Sequence, residues 1–563
     1  MFKGHPKGLF VAFFTNMGER FGFYTMIAIL ALFIQAKFGF DSTRVSLIYG
    51  IFMAMLYGLP ILGGLMADKW LGYGKTISFG IIVMFLGYLL LSIPSVHGEG
   101  LGLVICALGV IALGTGLFKG NLQALVGNLY DDPKYSAVRD RAFNIFYMGI
   151  NIGAMFAPTA AEKVSNWILG TYHYTYDANI PALANNCITG KLVDAPAYLA
   201  IAQHQDASVS LGTLQQFSTS YLDALGKSYH YAFSVACLSL VISMFIFWIF
   251  RKHYKQADLT EKQKSKSQEY KAQVIELTPK QIRERLIALF LVFFVVIFFW
   301  MSFQQNGLCM TFFARDYTQP TVGKFTNLFF DLFGLLSIFL SVIGFVYLVK
   351  KRSSATARII GGIVFAGFAV VAVLRYMGYQ DVNPFTPQKF QHFNPFFIVA
   401  LTPLIIGVFG WLNKRGKEPS APRKIGYGMF ITAIAFCILI FASIGMPSPH
   451  SLKLLGRTVA SPDVLVSPYY LVVTYFILTI AELFLSPMGI SFVSKVAPPK
   501  YKGTMQGGWF AATGIGNFLL FVGGWLWGFM PLWGLWLVLV IACLMSALFI
   551  FSVMKRLERV TTG

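Results

Sequence analysis

The chain has 563 residues, 56% of them hydrophobic and only 12% charged, with a mean hydropathy of +0.64. A water-soluble domain carries about 25% charged residues, so a chain solvated mainly by water is excluded. The net charge of +21 is no nucleic-acid footprint either, because it is confined to short segments between apolar runs.

Runs long enough to cross a hydrocarbon core of about 30 Å recur from end to end. They fall at about 9–35, 45–67, 76–94, 101–128, 142–161, 229–250, 286–314, 325–349, 359–378, 394–412, 425–446, 469–494, 503–527 and 533–554. With the N-terminus inside, the segments on that side hold the whole excess of +21 and the rest of the chain is neutral. This is the positive-inside pattern, and it predicts a multi-pass protein of the cell (inner) membrane with both termini cytoplasmic. The start is not a cleavable leader, since Gly18-Glu19-Arg20 interrupts the apolar run.

The first span reads VAFFTNMGERFGFYTMIAILALFIQ from residue 11. Positions 16, 20, 23, 24 and 27 share one helical face and Glu19 borders it. A charge at the bilayer centre costs a few kcal/mol or more, so the stripe points to a water-filled interior and a functional site. The competing reading is a buried Glu19–Arg20 pair that only locks helices together. After the second span comes GGLMADKWLGYGKT, residues 63–76, where Gly63 and Gly64 permit close helix approach and Asp68 can cap or pair across a gate. A polar stretch, about 162–228, follows the fifth span and is expected outside. Six spans precede a charged linker, 251–285, and eight follow it.

Two six-helix halves joined by a cytoplasmic linker resemble the layout of the major facilitator superfamily, and 63–76 is similar to that superfamily's turn signature. The resemblance implies halves that rock around a central site. It also divides the chain into a first bundle, 1–250, a linker, 251–285, and a second bundle, 286–323 with 379–563. An additional transmembrane hairpin, 324–378, is inserted between helices 7 and 8 of the second bundle, for fourteen helices in an all-α membrane protein. Its turn, KKRSSATAR, carries Lys350, Lys351, Arg352 and Arg358, which place it inside.

The six cysteines form no CxxC pair or Cys/His cluster, and HExxH, GxSxG and an acid dyad are absent. Neither an enzyme nor a cofactor or metal site is expected.

GERFGFYTM resembles the helix 1 signature of the proton-dependent oligopeptide transporter family. Further matches follow in order: GLFKGN (116–121) with Lys119, FYMGINIG (146–153) with Tyr147 and Asn151, and NPFFIVALTP (394–403). AELFLSPMGISFVSKVAP (481–498) supplies Glu482 and Ser486, GTMQGGWF supplies Trp509, and Tyr57 sits where the family has a helix 2 tyrosine. The resemblance implies that Glu482 takes a peptide's amino terminus while Arg20 and Lys119 receive its carboxylate. It also implies a proton-dependent pairing of Glu19 with Lys119. Tyr24, Tyr57, Tyr147, Asn151, Gln304, Ser486 and Trp509 would complete the site by contact or by packing.

Three positions depart from the family pattern: Asn16 and Gln304 stand where the family has acids, and Ile27 where its peptide carriers have an arginine. Asp331, an acid near the end of an apolar run, is expected at the exposed interface. The expected function is a secondary active importer of di- and tripeptides coupled to protons, a monomer whose partners are peptide, protons and lipid. The alternative is a facilitator or weakly proton-coupled carrier of another small anion or amino-acid-like solute.

Overall fold

The computed structural model describes residues 4–131, 133–136, 138–258, 277–350, 354–498 and 502–562. Thirteen helices among them are long and apolar enough to cross a membrane, and Arg139–Thr171 packs with them as a fourteenth rod. In chain order they are α1 (Lys7–Phe38), α2 (Ser42–Leu71), α3 (Tyr73–Leu91), α4 (Leu101–Asn128), α5 (Arg139–Thr171), α6 (Leu214–Ile249) and α7 (Pro279–Asp316). They continue as α8 (Leu332–Val349), α9 (Ala355–Met377), α10 (Pro387–Lys414), α11 (Ala421–Ser443), α12 (Tyr469–Val493), α13 (Thr504–Trp527) and α14 (Leu532–Ser552).

Local chemistry fixes the ends of these rods. Asp41 caps α2 by accepting from the Arg44 N–H at 2.9 Å. Thr278 and Gln281 form a reciprocal capping box, with Pro279 in the first turn of α7. Ser354 caps α9.

Helices α1–α6 form one packed group, with α1 against α5 and α6, and α3 against α4. Helices α7 and α10–α14 form the other, centred on α11 against α12 and α14. The groups meet where α2 packs on α13 and α5 on α10. The hairpin, α8 with α9, packs mostly on itself, and only 6% of the most apolar window of α9 is buried. That face is suited to lipid rather than to a protein core. The turn between them, including Lys351 and Arg352, lies outside the described residues, as does most of the linker, 259–276.

The polar stretch of about 162–228 is largely helical, since α5 runs to Thr171 and α6 begins at Leu214. At 1.5 Å per residue these rods are about 50 Å long, well beyond the hydrocarbon core. Their projecting ends carry two short helices, Ile180–Ile188 and Ala195–Gln205. Tyr198 bonds Ser218 at 2.9 Å, and Asn185 donates to the Ala36 carbonyl at 3.0 Å, so this cap is seated on α6 and α1. The expectation for Asp331 is corrected. It sits at a helix end, but its side chain is only 14% exposed, because it caps α8, pairs with Arg375 at 2.5 Å and accepts from Tyr379 at 2.8 Å.

The 63–76 turn divides its roles unequally. A Cβ on Gly63 would come within 2.2 Å of the Gly116 carbonyl, so α2 and α4 touch there through backbone. Gly64 faces open space. Asp68 accepts from Tyr73 at 2.8 Å, a bond within the turn itself.

An even number of crossings returns the chain to the end from which it starts, here called proximal. Polar contacts between the two groups, among the described residues, lie toward the distal end. Arg315 donates to Gln35 at 2.6 Å, Ser46 to the Phe521 carbonyl at 3.3 Å, and Glu162 meets Thr386 at 2.9 Å and Lys389 at 3.3 Å.

Candidate functional site

A cavity of about 180 Å³ lies between the two groups. From α1 it is lined by Asn16, Arg20, Phe23, Tyr24 and Ile27, the stripe read from the sequence. Tyr57 on α2, Lys119 on α4, and Tyr147 and Asn151 on α5 complete the first wall. Gln304, Glu482, Ser486 and Trp509 belong to the second. Every residue expected to contact substrate therefore reaches one space. Glu19 is buried but does not line it.

FYMGINIG works because its two faces have different jobs. A Cβ on Gly153 would come within 2.4 Å of the Met17 carbonyl, so the glycine face of α5 lies directly on α1. The opposite face is then free to present Tyr147 and Asn151, one turn apart and joined by a 3.1 Å bond from the Asn151 amide to the Tyr147 carbonyl. On α7 the helix tightens to a 3₁₀ turn at Gln304–Gly307. Gln304 then faces the cavity, while Gln305 turns away and donates to the Leu520 carbonyl at 2.9 Å.

The pairing of charges differs from the one the resemblance implies and is the Glu19–Arg20 pair of the competing reading. Glu19 is held by Arg20, whose Nε and Nη2 donate to its two oxygens at 2.5 and 2.6 Å. Lys119 forms no ion pair with Glu19 among the described residues, and its ammonium lies 3.8 Å from the centre of the Tyr57 ring. The two-pronged guanidinium beside Glu19 already compensates the carboxylate's charge, and the ammonium lies against the negative face of an aromatic ring instead. Arg20 also lies over Phe23, at 4.6 Å.

On the second wall, Glu482 is 7% exposed and accepts from Asn394 at 2.9 Å. The same amide reaches Thr479 at 3.1 Å. Asn394 opens the apolar run of α10 after a polar segment, so unlike Asn16 it carries no signal of its own in the sequence. Gln391, Asn306, Trp300 and Tyr475 line the cavity as well, and the last two are hard to tell from packing aromatics by sequence. The hydroxyl of Ser486, the amide nitrogen of Asn16 and the indole nitrogen of Trp300 are buried with no partner among the described residues. Unpaired polar atoms in an enclosed space cost free energy that a polar solute can recover. Trp509 stacks where Gly489 leaves room, since a Cβ there would stand 1.8 Å from the indole.

The three departures, Asn16, Ile27 and Gln304, all face this cavity. A second cavity, of about 490 Å³, lies at the distal end between the α1–α2 turn, the cap and Trp525–Phe529.

Known proteins agree with this architecture. "Dipeptide and tripeptide permease B" of Xenorhabdus bovienii is 28% identical over 524 residues, covering 91% of this chain and 86% of the relative. "Peptide transporter YePEPT" of Yersinia enterocolitica is 26% identical, covering 92% of this chain and 87% of the relative. Among solved structures, a peptide transporter POT in complex with sulfate superposes with a TM-score of 0.65 at 21% identity, over 100% of this chain and 97% of that one. A POT family transporter in complex with 5-aminolevulinic acid gives 0.65 at 18%, over 99% and 98%. The fold is that of a major facilitator membrane protein, two six-helix bundles with an added hairpin. The POT family model matches residues 74–269 and 381–522, more than half of the sequence, and the chain belongs to that family.

Proposed function

We propose that this protein imports di- and tripeptides together with protons by alternating access, as a monomer in the cell (inner) membrane with both termini cytoplasmic. One observation carries the substrate reading: cations stand on one wall of the cavity and a carboxylate on the other. Arg20 and Lys119 suit a peptide's carboxylate, and Glu482, backed by Asn394, suits its ammonium. A zwitterion spanning the space draws the bundles together, so binding favours the step that carries it across. The peptide-transporter names of the relatives support the same substrate class.

The proton role falls to Glu19 with Lys119. Removing the charge on Glu19 releases Arg20 toward the cavity and changes what a carboxylate meets there. A buried acid whose protonation redirects a cation is a workable coupling element.

A second reading has its own support. Asn16 and Gln304 cannot titrate and Ile27 cannot bind a carboxylate, and all three face the cavity. They favour a facilitator, or a weakly coupled carrier of a smaller anion or amino-acid-like solute.

Dipeptide uptake into proteoliposomes, with and without an imposed inward proton gradient, separates the two. The first reading expects accumulation only with the gradient. Equilibration unaffected by the gradient removes the proton coupling, and no dipeptide uptake, with uptake of a small anion or amino-acid-like solute in its place, favours the second.

A further inference from the structure

The inserted hairpin does not end in the lipid. Its return limb leads through residues 378–386 directly to Lys389, at the start of α10. Its base is tied down there in three ways. Thr321–Val322 pairs antiparallel with Asn383–Pro384. Phe330, just before α8, packs its ring against Phe385, Phe390 and Phe393 at 4.8–5.4 Å. Asp331, Arg375 and Tyr379 join the distal ends of α8 and α9.

What this base presents to the first bundle is charged and largely covered. Glu162 of α5, 5% exposed, accepts from the Thr386 hydroxyl at 2.9 Å and pairs with Lys389 at 3.3 Å. Next to it, Phe333 of α8 packs on Phe156 of α5, with Lys163 at 5.6 Å and Arg375 at 5.8 Å from its ring centre. A buried ion pair is a poor general stabiliser, because desolvation offsets its attraction, but it is costly to leave half-made. Placed across an interface that parts and rehydrates, such a pair favours one closed arrangement and opens into water with both charges solvated.

We propose that Glu162, Thr386 and Lys389 form a latch closing the distal side, positioned by the base of the inserted hairpin, and that it parts each time the carrier opens to that side. The proposal rests on the alternating-access reading and needs no particular solute or coupling ion.

Spin labels at Ala207 in the cap and Asp463 beyond α11, both exposed, report the distal separation by pulsed electron resonance once the six native cysteines are replaced. Glu162→Gln and Lys389→Met should each raise the ratio of separated to closed molecules by roughly tenfold or more, as expected when one side of a buried pair is lost. The double variant should shift it no further than either single one, because both act on one latch. Thr386→Val, which keeps the shape and removes a single bond, should produce a smaller shift in the same direction and serves if the charged-site variants fold poorly. Distances unchanged in all three single variants, or additive shifts in the double variant, overturn the latch. The measurement uses neither substrate nor gradient, so failure of the peptide reading appears in uptake and leaves these distances as they are.

Discussion

The two walls of the central cavity hold charge in different ways. On the first, Glu19 and Arg20 pair through two hydrogen bonds and Lys119 leans on an aromatic ring. On the second, Glu482 has no cation beside it among the described residues and is steadied by the neutral amide of Asn394. A buried ion pair is rigid and self-contained, whereas a carboxylate held by an amide keeps its charge available to a ligand. The first wall therefore holds its acid in a formed pair, and the second leaves its acid without a cation among the described residues.

The contrast breaks most severely at Arg20. Arg20→Met leaves Glu19 buried without its partner and should destabilise the protein by about 3–5 kcal/mol, read as a lower thermal unfolding midpoint in detergent. Adding Glu19→Gln to that variant should recover most of the loss, since the uncompensated charge is gone. A double variant no more stable than the single one contradicts the assignment of the pair as self-contained.

Glu482→Gln tests the other wall. The fold should survive, because Asn394 can still donate to the new amide oxygen. Binding of dipeptides should weaken by tenfold or more, the equivalent of about 1.5–3 kcal/mol for a hydrogen bond to a charged group. N-acetylated analogues, which lack the ammonium, should be nearly unaffected. Equal loss for both ligands removes Glu482 from substrate recognition.

A smaller effect is expected where the second wall depends on shape. Gly489→Ala inserts a methyl group where the Trp509 indole lies, and overpacking of this kind costs about 1–3 kcal/mol. The ring must move into the cavity or away from it, so tryptophan fluorescence and substrate affinity should change together. A variant with parental affinity shows that Trp509 packs without shaping the site.

Fourteen spans, the position of the added pair and the residues facing the cavity were legible in the sequence. Transfer of about twenty apolar residues into lipid is a local, additive quantity. A polar stripe at helical spacing must likewise point away from lipid whatever its neighbours are. The ends of α5 and α6 were not legible in the same way, because beyond the hydrocarbon core a helix continues only if another surface covers it. Here the short helices of the cap cover α6, through Tyr198 and Ser218, and α5 packs along α6.

Partner choice among the charges belonged to the tertiary structure alone. Glu19 has Arg20 beside it in sequence and Lys119 a hundred positions away, and composition cannot rank the two. The choice turns on which side chain brings two N–H groups to within bonding distance of both oxygens, and that distance is set by how α1, α4 and α5 pack. The same holds for Asn394 with Glu482 and for Glu162 with Lys389. Hydrophobic burial depends on what each segment contains, whereas a buried polar contact depends on where two segments meet to within a fraction of an ångström.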